Sequence, residues 1–162
     1  HRHKSRIEQE IVLYPNSKRI DFITQHLGNN GGVADESIDL LVNCFSPLAL
    51  EEFRRVLRDD GAFLYVVPAA DHLWEMKEVL YDHPYRNEEK LTPYPGFRYE
   101  QVVPVEYSIT RSDPEDIRNL FRMTPYCWKT PKDGVQRLEA LESLTTPIAF
   151  HIHVFRKEPA MN

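Results

Sequence analysis

Four groups of side chains have the type and spacing to do chemistry. His72 follows the end of an apolar strand pattern and opens a helix, where an imidazole serves either a ligand or only the helix end as a cap. His151 and His153 alternate on one face of a strand, a spacing that suits metal ligands. No Cys, Asp or Glu marks a third ligand, so a structural role is expected and no metal site. Met123-Thr124-Pro125-Tyr126-Cys127-Trp128 offers an aromatic surface on which a planar ligand could stack, or an aromatic cluster that closes a core. Phe45-Ser46-Pro47 is either a ligand-facing strand end or a strand stop before a proline-started helix. The two cysteines, Cys44 and Cys127, lie far apart in apolar or aromatic settings, which fits buried free thiols rather than a disulfide or a zinc motif. Arg2, Lys4 and Arg6 would suit phosphates or a solvated terminus equally. No residue stands out as a catalytic base.

The elements that must position these groups follow from periodicity. Ile7, Ile11 and Tyr14 recur at helical spacing, which predicts the tail of a helix ended by Pro15-Asn16-Ser17, then a short strand over 18–24. Leu27-Gly28-Asn29-Asn30-Gly31-Gly32 reads as a loop able to approach a ligand closely, because glycine and asparagine tolerate positive φ. The near-continuous apolar run Ser37 to Phe45 predicts a strand buried on both faces of a parallel sheet. Leu48, Leu50, Phe53, Val56 and Leu57 then form an apolar stripe opposite Glu51, Glu52, Arg54 and Arg55. Asp59-Asp60-Gly61 turns the chain into a strand over 62–67. A helix over about 70–82, with Leu73, Met76, Val79 and Leu80 inward, precedes a proline- and charge-rich surface loop over 83–95. A strand near 99–108, a helix beginning at Asp113-Pro114-Glu115, a helix over 132–144 and a final strand over 148–155 complete the pattern. Strand and helix alternate and end in two strands able to pair antiparallel, which predicts an α/β fold with a mostly parallel sheet.

With 162 residues the chain fits one domain. At 41% hydrophobic and 28% charged, with no apolar run long enough to cross a bilayer, it does not read as a membrane protein. The basic start is followed by Ile7-Glu8-Gln9-Glu10 rather than an apolar stretch, so no signal peptide is read and a cytoplasmic location is the default. A net charge of −5 argues against wrapping nucleic acid over the whole surface but leaves local basic patches open.

The segments Asp35-Glu36-Ser37-Ile38-Asp39-Leu40-Leu41-Val42, Glu51-Glu52-Phe53-Arg54-Arg55-Val56-Leu57-Arg58 and Asp60-Gly61 together resemble the middle of a class I methyltransferase. Pro68 to Lys77, Leu80-Tyr81 and above all Met123-Thr124-Pro125-Tyr126-Cys127-Trp128-Lys129 are similar to the 23S rRNA (guanine-N1)-methyltransferases of the RlmA type, as is the closing segment Ile148 to Arg156. The resemblance runs from about Tyr14 to Lys157. It implies a Rossmann-like sheet whose last strand is antiparallel. It also implies S-adenosylmethionine as cofactor and a guanine in a 23S rRNA hairpin loop as substrate. His72 would contact the cofactor, Phe45-Ser46-Pro47 would lie beside its methionine part and the target base, and Thr124, Pro125, Tyr126 and Trp128 would bind the base.

Two features of that family are not found in this sequence: a zinc ribbon with four ligands, and the strand with its G-x-G-x-G loop and acidic ribose partner. The chain is therefore expected to form a single, partial methyltransferase domain. The strand over 38–45 would then become a sheet edge open to a second copy, giving a homodimer. Two other functions fit the residues, a non-catalytic methyltransferase-like binding or dimerisation module and a small-molecule methyltransferase of the same fold.

Overall fold

The computed structural model describes the backbone of residues 8–11 and 21–24 and all of residues 33–160. The predicted loop over 27–32, the basic residues at 2, 4 and 6, and residues 7 and 14 of the predicted helix lie outside the described residues. Strands β1 (Glu8–Ile11) and β2 (Asp21–Thr24) pair antiparallel, Glu8 opposite Thr24 and Ile11 opposite Asp21. The helix expected from Ile7, Ile11 and Tyr14 is thus corrected to a strand where it is described. Three apolar positions at helical spacing cannot offset the cost of nucleating a helix when a partner strand satisfies the same backbone groups.

A four-stranded sheet follows, in the order β3-β4-β6-β5. Strand β3 (Ile38–Cys44), helix α1 (Leu50–Val56) and strand β4 (Leu57–Pro68) form a β–α–β unit with β3 parallel to β4, Leu40 opposite Ala62 and Cys44 opposite Val66. Between the Ile38–Leu57 and Leu40–Ala62 pairs the register breaks, and residues 58–61 leave the ladder. Asp60 takes a left-handed φ of 61° there. Gly61 is needed for close approach, since a Cβ would stand 2.8 Å from the Arg58 carbonyl oxygen. Strand β5 (Phe97–Arg111) and strand β6 (Leu144–Lys157) complete the sheet. Contacts along β6 run antiparallel to both neighbours. Lys157 Nζ donates to Leu57 O and Arg156 to Asp60 O on β4, while Arg156 meets Glu100 and Thr145 meets Thr110 on β5. The sheet is less parallel than its strand–helix alternation predicts, because the last strand inserts between two earlier ones. Among the described residues β3 lies at the sheet edge, as expected, with Cα atoms of β1 within 8 Å.

Two compact units divide the chain, residues 1–67, 90–103 and 151–162 in the first and residues 68–89 and 104–150 in the second. The core of the first centres on Phe63, whose ring lies 5.1 Å from Phe53, 5.5 Å from Phe97 and 5.4 Å from Phe155. Phe53, Val56 and Leu57 are fully buried, so the predicted stripe of α1 is the face that packs. Strand β3 buries Leu41 and Asn43 but only half-buries Leu40 and Val42 and exposes Asp39 and Cys44. The expectation of burial on both faces is corrected, and with it the buried Cys44 thiol. Pleat alternation puts Cys44 on the opposite face from Asn43, and that face lacks a covering layer among the described residues.

In the second unit, helices α2 (Trp74–Leu80), α3 (Pro114–Arg122) and α4 (Lys132–Glu139) bury Leu73, Met76, Leu80, Ile117, Phe121 and Leu138 together. Helix α3 begins where its sequence predicts: the Asp113 carboxylate accepts from Glu115 N at 2.9 Å and Pro114 occupies the first turn. Helices α2 and α4 are shorter than expected. Leu73 has a left-handed φ of 55° at the start of α2, and Leu144 is taken into β6. A Cβ on Gly134 would stand 2.2 Å from the Leu80 carbonyl oxygen, so glycine sets how closely α4 approaches α2. Among the described residues no helix is long and apolar enough to cross a membrane.

Candidate functional site

At the carboxyl end of β3, in the first unit, the chain turns on a strained residue. Phe45 has φ 51° and is 56% exposed, a conformation that costs a bulky side chain about 1–3 kcal/mol. The turn is held by Phe45 N donating to Val66 O at 3.2 Å and by Asn43 Nδ2 donating to Pro47 O at 3.2 Å. Ser46 is tucked in and Pro47 is exposed. Asn43 itself is fully buried, and its Oδ1 accepts no hydrogen bond among the described residues. A buried acceptor left without a donor beside a strained, exposed aromatic is the kind of local cost that ligand sites carry. Asn43 was not anticipated from the sequence, although a lone amide in an apolar strand is a readable signal.

In the second unit β4 ends at Pro68 and the backbone is stitched to β6: Ala69 N donates to Ala149 O at 2.9 Å and Leu73 N to Pro147 O at 2.8 Å. Ala149 N donates to His72 Nδ1 at 3.2 Å, so the imidazole carries its hydrogen on Nε2. The ring lies 4.7 Å from that of Phe150. Burial, aided by the Lys77 charge, lowers the His72 pKa to about 4, which keeps the ring neutral near pH 7. His72 is therefore an oriented neutral imidazole rather than a loose cap.

Lys77 is the residue that sequence reasoning missed. It is 2% exposed, and its Nζ donates to Tyr85 O at 3.1 Å and Asn87 Oδ1 at 2.8 Å. The ammonium also lies 5.1 Å from the centre of the Tyr85 ring and 5.5 Å from that of Tyr126, and burial pushes its pKa down. The signal was its position four residues after Leu73 and three before Leu80, on the apolar stripe itself. Around it the segment over 85–89, read from sequence as a surface loop, is strapped down. Asn87 Nδ2 donates to Ala69 O, Asn87 N to Ala70 O, and Ala70 N to Glu89 Oε1. Arg86 pairs with Asp71 at 2.6 Å and lies over the Trp74 ring.

The Met123 to Trp128 motif forms a short 3-10 turn over Pro125–Trp128, and its residues divide between two environments. Thr124 Oγ1 donates to Phe121 O at 2.7 Å, and Tyr126 is half-buried against Tyr81 and Lys77, its hydroxyl pushed up to about 12 by burial. Trp128, by contrast, is 88% exposed. The motif both closes the core and presents an aromatic surface, through different side chains. Of the residues singled out from sequence, Tyr126 packs against Lys77 in the second unit while His72 is held by Ala149 and Phe150, and Phe45, Ser46 and Pro47 stand together in the first. His153 in the first unit is buried among Tyr65, Tyr99 and Phe155, with Nδ1 3.3 Å from the Tyr99 hydroxyl, and burial lowers its pKa. Among the described residues no group of three or more His, Cys, Asp or Glu is placed to hold a metal ion.

A mixed α/β chain with a parallel β–α–β start and an inserted last strand is compatible with a methyltransferase fold. Known proteins point the same way. The Bacillus subtilis (strain 168) protein named "Putative 23S rRNA (guanine-N(1)-)-methyltransferase YxjB" is 33% identical over 114 residues, covering 67% of this chain and 40% of that protein. A Micromonospora griseorubida protein named "Putative 23S rRNA (guanine-N(1)-)-methyltransferase" is 52% identical over 48 residues, 30% of this chain and 16% of that protein. The chain thus resembles the family these names describe, and it spans less than half the length of either relative. No protein-family model matches it.

Proposed function

We propose that this chain is part of the catalytic domain of an S-adenosylmethionine-dependent methyltransferase of the class I, Rossmann-like type, acting on N1 of a guanine in a 23S rRNA hairpin loop in the cytoplasm. The observation that carries this reading is the 33% identity with the Bacillus protein over 114 residues. The sheet supports it. Strands β3 and β4 are parallel, the last strand is antiparallel, and among the described residues a largely apolar face with Leu40, Leu64, Val103 and Ile152 has no covering layer on the first unit, where a doubly covered sheet would carry further helices.

The residues present fit one end of the cofactor. Asn43 Oδ1 is an unmatched buried acceptor at a strand end, where an amine or amide donor of a ligand would satisfy it. Beside it the Phe45-Ser46-Pro47 turn supplies an exposed ring. Separately, in the second unit, His72 is a neutral imidazole whose Nδ1 accepts from the Ala149 amide. S-adenosylmethionine, when bound, supplies a methyl group activated by its sulfonium. The chain's own residues hold and orient, since displacement at the methyl carbon needs a near-linear approach of the guanine nitrogen and gains most of its rate from positioning. Trp128 offers the stacking face for a base, while Thr124, Pro125 and Tyr126 set that face on its turn.

The test is transfer of a labelled methyl group from S-adenosylmethionine to 23S rRNA by the protein that contains this chain, together with calorimetric titration of the cofactor into the 162-residue chain. Methylation at guanine N1 that falls with His72→Ala is the expected result. Absence of any transfer to 23S rRNA by the wild-type protein would overturn the reading and favour a binding module.

A further inference from the structure

On the second unit, helix α3, the 3-10 turn and helix α4 enclose a cleft of about 480 Å³ whose lining includes Arg118, Phe121, Arg122, Trp128, Leu138 and Glu139. Arg118 and Arg122 are one helical turn apart on the same side of α3, both exposed, and neither has a carboxylate at ion-pair distance among the described residues. Several other exposed arginines among the described residues are ion-paired, Arg86 with Asp71, Arg98 with Asp60 and Arg137 with Asp133, whereas Arg111, like these two, has no carboxylate partner. Beside the unpaired guanidiniums stands the indole of Trp128, 88% exposed, and Met123, which follows Arg122 in the chain, is 83% exposed. Large apolar side chains left in water around a concave floor mark a binding surface.

The chemistry of this cleft selects its occupant. Two guanidiniums spaced by one helical turn suit successive phosphates of an extended strand, each able to take a bidentate pair of hydrogen bonds. An exposed indole suits the face of an unpaired base. We propose that this cleft grips single-stranded RNA, with a base stacked on Trp128 and the flanking phosphates on Arg118 and Arg122. This rests on the RNA-modifying reading above and adds the two arginines, which no motif of the sequence had marked. Glu139 lines the same cleft and can accept from the amino edge of a base.

The experiment uses the full chain and a single-stranded RNA dodecamer as probe, with binding followed by anisotropy across a salt series and S-adenosylmethionine titrated in parallel. Trp128→Ala is expected to weaken RNA binding about tenfold. The double variant Arg118→Ala/Arg122→Ala is expected to weaken it further and to reduce the slope of log K against log salt by about 1.4, the share of two phosphates on a single strand. Arg118→Lys/Arg122→Lys should keep most of the slope. Because all three side chains are exposed, urea midpoints should not move. Unchanged RNA affinity in these variants, equal affinity for a poly-glutamate peptide, or no RNA binding by the wild type would each overturn the proposal. Cofactor binding in the same samples reports on the methyltransferase reading separately.

Discussion

Acid should weaken this protein through His72 in a way that a non-titrating side chain abolishes. In the folded chain burial and the Lys77 charge hold the imidazole at about 4, against an ordinary 6.5. Between those values the unfolded chain binds a proton that the folded chain refuses, so stability is fully present above about pH 6.5 and falls as the pH drops towards 4. A gap of that size is worth at most about 3 kcal/mol, and since His72 is only partly buried, solvent screening should reduce it to about 1–2 kcal/mol. His72→Asn keeps an acceptor near the place of Nδ1 for the Ala149 amide but cannot titrate. Urea unfolding of the wild type and of His72→Asn at about pH 7 and about pH 4.5 isolates the effect, because every other acid-sensitive group, including His153, is common to both. The wild type should lose about 1–2 kcal/mol more than the variant over that interval. Equal losses, or a His72 ring that titrates at or above its ordinary value in a nuclear magnetic resonance titration, would refute the reasoning.

Lys77→Met should lower stability by about 2–3 kcal/mol, because the Tyr85 carbonyl and the Asn87 side chain lose a charged donor, and hydrogen exchange over 85–89 should accelerate. Gly134→Ala places a methyl 2.2 Å from the Leu80 carbonyl oxygen, so α4 must shift, with an expected loss of about 1–3 kcal/mol in chemical denaturation. Asp113→Ala removes the cap of α3 and should cost about 1 kcal/mol, read as a lower melting temperature without a change in fold.

Features that depend on neighbours along the chain are legible in the amino-acid sequence. The strand over 38–44, the packing stripe of α1 and the start of α3 at Asp113-Pro114 lie within a residue or two of their expected bounds. Each is decided by interactions that reach only a few residues, such as pleat alternation, helical periodicity and a carboxylate capping the amide two positions on. The family resemblance is legible for a similar reason, as Met123-Thr124-Pro125 and Trp128 are neighbouring letters that need no fold to be read.

Tertiary structure alone decided the rest. The first described segment became a strand because residues 21–24 pair with it. Cys44 is exposed because an edge strand buries one face, and a run of apolar letters does not say how many layers cover it. Lys77 is buried among Tyr85, Asn87 and Tyr126, which lie between eight and about fifty residues away and only in the folded chain provide the acceptors and rings that hold an ammonium out of water. The aromatic motif divides likewise, Tyr126 inward and Trp128 outward. Local sequence sets which conformations a segment prefers, but burial, pKa and unmatched hydrogen-bonding groups belong to the assembled neighbourhood and come into being only with it.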